Sequence, residues 1–179
     1  MNAKHKGDRH KGDPFDETRV LEFIQGAIAD TPGVMPLARG LSHAGEHAAA
    51  WLALGVVGMI ADEKRRTQWG VLAGAAFGSH AASVILKRIV RRPRPHGPRV
   101  RIGVKTPSKL SFPSSHATST TAAMIELSRI TGSRVPLTVI PLMMLSRMTV
   151  GVHYPTDVAA GALLGGISAE AIHRAVTHQ

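Results

Sequence analysis

The sequence predicts an all-α fold, a multi-pass membrane helix bundle of about five spans preceded by an N-terminal amphipathic helix. Three observations carry this expectation. Weakly polar runs of 15 to 23 residues recur at 44–61, 68–90, 116–130, 135–152 and 157–176, close to the roughly 20 residues a helix needs to cross about 30 Å of hydrocarbon. Most of the connections between them are very short, and the first run stops at the charged Asp62-Glu63-Lys64-Arg65-Arg66. Two runs carry glycine strips suited to close helix packing, Gly70, Gly74 and Gly78 in one and Gly161 and Gly165 in another. A mean hydropathy of only +0.03 hides this pattern, because the charge is concentrated in two stretches.

The first charged stretch, residues 1–19, carries five basic and four acidic side chains and almost nothing to bury. Residues 1–17 are therefore expected to be a disordered polar tail, with no apolar region that would make them a signal peptide. The membrane-embedded domain is then 18–179. Its first element, 18–30 (TRVLEFIQGAIAD), has apolar side chains at 20, 21, 24 and 28. That rhythm, broken by polar positions, fits a helix lying on the membrane interface. The second charged stretch, 87–109, holds nine Lys or Arg and no acid, and lies largely in a basic loop, 91–113, between the second and third spans. The formal charge of +10 suggests an anionic partner. The absence of cysteine excludes a disulfide framework, a thiol nucleophile and thiolate zinc sites. A soluble bundle of Ala-rich helices is the alternative, disfavoured by the short loops, basic stops and glycine strips.

The chemistry-bearing residues cluster at the ends of these runs. Lys87 closes the second, and Arg94 follows on a loop that Pro93 and Pro95 hold extended. Ser114, Ser115 and His116 open the third, where unpaired helix N–H groups favour an anion. Arg147, His153 and Asp157 lie at the fourth-to-fifth junction, and Asp157 is placed to reach a ring nitrogen of His153. If every span crosses, the three clusters share one membrane face. Two imidazoles, one carboxylate and three cations on one face have the composition of a phosphoryl-transfer site: one imidazole attacks phosphorus and the other protonates the leaving oxygen. No metal and no other cofactor is expected, because the cations can neutralise the phosphate.

Lys87-x6-Arg94-Pro95, Pro113-Ser114-Ser115-His116 and Ser146-Arg147-x5-His153-x3-Asp157 resemble the three signatures of the type 2 phosphatidic acid phosphatase superfamily, ten identities in order across 71 residues. The resemblance implies a metal-independent lipid phosphatase working through a phosphohistidine. In it His153 is the nucleophile, Asp157 its partner and His116 the proton donor, with Lys87, Arg94, Ser114, Ser115 and Arg147 around the phosphate. Ser115 stands where the family usually has glycine, harmless unless that position needs φ > 0. Five spans would be one fewer than the family's usual six. The stretches RRPRPH, SFPSSHATSTTAA and GVHYPTDVA further resemble a branch that removes the 5-phosphate from a polyprenyl-linked phosphoribose in arabinan precursor synthesis.

Other residues carry weaker readings. His80, seven residues before Lys87, Glu46 and His47 are candidate contacts to a substrate head group, although His80 also suits a buried neutral histidine and Glu46 a local cap. Glu126 fits a helix-end pair with Arg129. Arg88, Arg91, Arg92, Arg99 and Arg101 are expected to hold lipid phosphates or enforce topology. The glycine strips fit a homodimer and intrachain packing equally. Sixteen of the 22 Lys and Arg fall on the site face, which places that face in the cytoplasm by the positive-inside rule. The expected partners are a lipid-linked phosphate and membrane lipids, not nucleic acid. Other lipid phosphates, a vanadate-dependent oxidative relative and a non-enzymatic basic membrane binder are the competing functions.

Overall fold

The computed structural model describes residues 13–177, and among these the regular structure is all helical. Seven α-helices follow in order: α1 Thr18–Ile28, α2 Val34–Ala44, α3 Ala49–Ala61, α4 Arg66–Val90, α5 Ser115–Thr131, α6 Val139–Thr149 and α7 Pro155–Thr177. Short 3-10 turns precede α3, α4 and α6. The loop between α4 and α5 makes one isolated antiparallel bridge, Pro93 to Leu110.

α5 is the central helix, packed on α4, α6 and α7. Ser114 starts it from an extended conformation, its Oγ accepting from the Ala117 N–H at 3.5 Å. Gly132, at φ 67°, ends it in the left-handed conformation that glycine adopts without strain. Ser115 has no positive φ, so serine is tolerated at the position where the family usually has glycine. Residues 117–124 of α5 are all buried, and most are Ala, Ser or Thr. Most of their hydroxyls are satisfied locally or across helices, Thr121 Oγ1 being the exception: Thr118 donates to the Ser114 carbonyl at 2.9 Å, and Thr120 accepts from Trp51 Nε1 at 3.1 Å.

Small side chains let α7 approach closely. A Cβ at Gly161 would stand 2.6 Å from the Ser114 carbonyl oxygen, and one at Gly165 would collide with the carbonyl of Thr118. This glycine strip is used inside the chain. The 70–74–78 strip is not a comparable contact, since a Cβ at Gly74 meets nothing within 4 Å. Gly165→Leu is expected to lower the thermal midpoint in detergent by several degrees, matching about 1–3 kcal/mol of overpacking; an unchanged midpoint would refute the close approach.

Length and hydropathy support fewer crossings than the five expected. Glu63–Val90 is long and apolar enough by itself, α2 and α3 qualify only as a pair bent by 61°, and Val135–Thr149 is apolar but shorter. The shortfall has a physical reason at α5. A helix enclosed by its neighbours shows little surface to lipid and can carry hydroxyls where an outer helix carries Leu163 and Ile167, which are exposed on α7.

The N-terminal boundary also differs. Residues 1–12 of the expected tail lie outside the described residues, but 13–17 are packed rather than solvated. Asp13 caps α1, its carboxylate accepting from Glu17 N (2.7 Å), Thr18 N (2.9 Å) and Thr18 Oγ1 (2.6 Å). α1 itself holds the chain through Gln25, which accepts from Arg101 N at 2.9 Å and donates to the carbonyls of Arg101 (2.7 Å) and Thr149 (2.9 Å). Phe15 and Phe23 point outward, both about three-quarters exposed (73% and 75%).

Candidate active site

α4 and α6 end, and α5 and α7 begin, at one end of the bundle. Arg65 donates to the Ile130 carbonyl at 3.2 Å at the opposite end, which fixes α4 and α5 as antiparallel. α4 terminates as its sequence requires: Arg91 takes the left-handed cap, φ 54°, and the Pro93 and Pro95 segment leaves extended. A cavity of about 260 Å³ lies at this end, and Lys87, Arg94, Ser115, His116, Arg147 and His153 all line it.

His153 is almost fully buried, and its two ring nitrogens face different partners. Nε2 lies 3.3 Å from Arg94 Nη1, and Nδ1 lies 3.6 Å from Asp157 Oδ2. A guanidinium can only donate, so Nε2 must offer its lone pair and the ring proton belongs on Nδ1, toward the carboxylate. Burial first, then the charges of Arg94, Arg147 and Lys87, hold the His153 imidazole well below its ordinary value. The ring is therefore neutral at neutral pH. Burial also pushes the Arg94 guanidinium down to about 10, which still leaves it charged.

Arg94 ties two loops together while it faces His153. Its Nε donates to the Ser108 carbonyl and its Nη1 to the Val152 carbonyl, both at 2.8 Å. Lys87 is buried and donates to the Pro113 carbonyl at 2.9 Å. His116 Nε2 lies 2.8 Å from the Ser42 carbonyl, and the Arg147 guanidinium donates to the Ser42 hydroxyl. Ser114 is buried, with its N–H donating to the Asp157 carbonyl at 2.9 Å, so α5 and α7 are joined at their first turns. Ser115 Oγ accepts from Ser83 Oγ at 2.8 Å.

Among the candidate head-group contacts, Glu46 and His80 line the cavity. His47 lies in the turn Glu46–Ala48, and its side chain is outside the described residues. Sequence reasoning missed Ser42, Lys105, Ser108 and Glu17. It also treated Arg92 as a lipid contact or topology determinant, whereas Arg92 is largely enclosed and paired with Glu17 (2.6 Å) and Asp157 (3.0 Å). Arg101 and Arg99 likewise pair within the chain, with Asp30 at 2.7 Å and Glu22 at 3.7 Å. No local pattern marked Arg92 apart from its basic neighbours; only the partner's position, 75 residues earlier, does so. Glu126 does pair with Arg129, at 2.6 Å, and also with His173, at 3.1 Å.

Residues 68–179 match the PAP2 superfamily. The chain is 51% identical over 152 residues to the decaprenylphosphoryl-5-phosphoribose phosphatase of Mycobacterium tuberculosis, covering 85% of this chain and 86% of that one. It is also 51% identical to the enzyme of that name from Mycolicibacterium smegmatis, over 83% and 82% of the two chains. The fold resembles the crystal structure of Aquifex aeolicus LpxE, with a TM-score of 0.70 at 21% identity over 87% of this chain and 93% of that one. It also resembles a transmembrane PAP2-type phosphatidylglycerolphosphate phosphatase from Bacillus subtilis, with a TM-score of 0.67 at 21% identity over 87% and 83%. Three separated signatures, gathered at one cavity by an all-helical fold that its relatives share, identify the chain as a member of the PAP2 superfamily.

Proposed function

We propose that this phosphoric monoester hydrolase removes the 5-phosphate from decaprenylphosphoryl-5-phosphoribose, releasing inorganic phosphate and leaving decaprenylphosphoryl ribose. The observation that carries the chemistry is the position of His153, between Arg94 at Nε2 and Asp157 at Nδ1, on the wall of a cavity that His116 also lines. The substrate is carried by the high identity to relatives of that name over most of both chains.

The reaction follows from the geometry. The Nε2 lone pair of His153 attacks phosphorus, the N–P bond forms, and the bond from phosphorus to the ribose oxygen breaks. Asp157 holds the Nδ1 proton and offsets the charge the imidazole acquires. His116 gives a proton to the leaving ribose oxygen. Its Nε2–H is engaged by the Ser42 carbonyl, so the proton delivered is the one on Nδ1. Water then attacks phosphorus, its proton passes to His116, the N–P bond breaks, and phosphate leaves with His153 neutral again. Lys87, Arg94 and Arg147 surround the phosphate oxygens; each charge-assisted hydrogen bond contributes about 1.5–3 kcal/mol. Glu46 is the acidic side chain of the cavity wall and accepts from ribose hydroxyls. The cavity holds the phosphosugar while the prenyl chain stays in lipid.

The chain works as a multi-pass membrane protein with α3 to α7 crossing and α1 on the interface, so that the N-terminus and the cavity share one face. The bias of Lys and Arg toward the site face puts the cavity in the cytoplasm. Reporter fusions at the N-terminus test this; an extracytoplasmic N-terminus would reject it. The substrate is tested by phosphate release from a lipid panel: decaprenylphosphoryl-5-phosphoribose, undecaprenyl diphosphate, phosphatidylglycerol phosphate and phosphatidate. The first is expected to be hydrolysed with the highest kcat/KM, and activity is expected to survive full chelation. A preference for another lipid would overturn the substrate assignment, and loss of activity restored by Mg²⁺ would overturn the histidine mechanism.

A further inference from the structure

We infer that Glu17 and Arg92 are positioning residues for the Asp157–His153 pair, with Glu17 balancing the charge of Arg92 so that Asp157 keeps its own for the imidazole. This rests on the phosphatase reading above.

Asp157 is fully buried, and its two oxygens are held separately. Oδ2 accepts from Tyr154 N at 2.8 Å and faces His153, whereas Oδ1 accepts from Arg92 Nη1 at 3.0 Å. Arg92 is fixed on every side. Its Nη1 also donates to Thr156 Oγ1 at 2.6 Å, its Nη2 donates to Glu17 Oε2 at 2.6 Å, and its guanidinium stacks 4.0 Å from the Tyr154 ring centroid. Glu17 reaches the same turn of α7, accepting from Thr156 N and Thr156 Oγ1, both at 2.7 Å. The side chains of Glu17 and Arg92 are only 7% and 10% exposed, so water does little to screen them.

The charges explain why two residues are needed. A buried guanidinium paired with Asp157 alone would neutralise that carboxylate, and His153 would then face only Arg94, Arg147, Lys87 and His116. Two carboxylates sharing one guanidinium leave a net negative charge beside Nδ1, where the imidazole becomes positive as the N–P bond forms. Burial opposes the charge on Arg92, but its bonds to Glu17 and Asp157 outweigh that and hold its pKa above the ordinary value. The segment entering α1, sixty or more residues before the first signature, thereby completes the site.

The test uses the full chain in detergent, with decaprenylphosphoryl-5-phosphoribose as substrate and the thermal midpoint measured for each variant. Glu17→Gln and Arg92→Gln are each expected to lower kcat about ten-fold or more, with KM within about two-fold. The acid limb of the kcat profile should move in opposite directions, to lower pH for Glu17→Gln, which leaves Arg92 to neutralise Asp157, and to higher pH for Arg92→Gln. The double variant should be no slower than the slower single, because the charge balance returns. If Glu17→Gln does not fold, Arg92→Lys reads the same coupling, since one ammonium cannot span both carboxylates, and a wild-type kcat there overturns the inference. Wild-type kcat in either Gln variant, unshifted acid limbs or additive losses would also overturn it while the parent stays active. A folded parent that releases no phosphate would instead sink the phosphatase reading, and this inference with it.

Discussion

His153→Ala is expected to abolish phosphate release, lowering kcat by about four orders of magnitude or more. The loss should be this large because His153 is the imidazole of the cavity set between a guanidinium at Nε2 and a carboxylate at Nδ1, whereas His116 is used as the proton donor. The measurement is phosphate release together with labelling of the protein from a substrate carrying radioactive phosphate. The parent should carry an acid-labile label and His153→Ala none. Activity above about a hundredth of the parent's would remove His153 as nucleophile. The pH dependence has a defined sign. Since burial and nearby cations depress the His153 pKa, the lone pair is present above that lowered value and is lost only below it. Activity should therefore persist as pH falls through about 6.5, where an ordinary histidine would protonate.

Arg94→Ala should cost about 2–4 kcal/mol of transition-state stabilisation, or about 30- to 1000-fold in kcat/KM. Two contributions add here. The charge beside His153 Nε2 disappears, so the developing negative charge on the phosphate oxygens loses a fixed counter-charge. The two loops also lose one of their ties, because Arg94 bonds both the Ser108 and Val152 carbonyls. Arg94→Lys should fail nearly as badly, since an ammonium cannot make both backbone bonds and still face the phosphate. Competitive inhibition by inorganic phosphate separates the contributions. Weaker inhibition marks the lost charge, while a fall in kcat with inhibition unchanged marks the loosened loops. An unchanged kcat/KM would refute the assignment of Arg94 to phosphate.

Much of the site was legible in the sequence because its ingredients are local. Lys87, Arg94, Ser114, Ser115, His116, Arg147, His153 and Asp157 lie at helix ends, and Gly, Pro and Ser mark those ends by their backbone preferences. The helices were legible as apolar runs, although α2 was missed, since residues 34–43 fell between the 18–30 helix and the run starting at Ala44. The last residue of α2 leads through Gly45 into a turn, and Ala48 takes φ 59°, a break that periodicity does not reveal. Residues 13–17 were misread because composition counts charges without their partners. Asp13 and Glu17 look solvated until Thr18, Thr156 and Arg92 are placed around them.

By itself, then, the sequence determined that the chain is helical, roughly where most of its apolar helices lie, and which basic, imidazole and carboxylate side chains stand near helix ends. Those properties depend on backbone dihedrals and on the chemistry of single residues. Only the tertiary structure decided which nitrogen of His153 faces Arg94, that α5 can stay polar inside the bundle, and that Glu17 shares a guanidinium with Asp157. These are relations between groups far apart along the chain, and Coulombic and hydrogen-bond energies depend on distance in space.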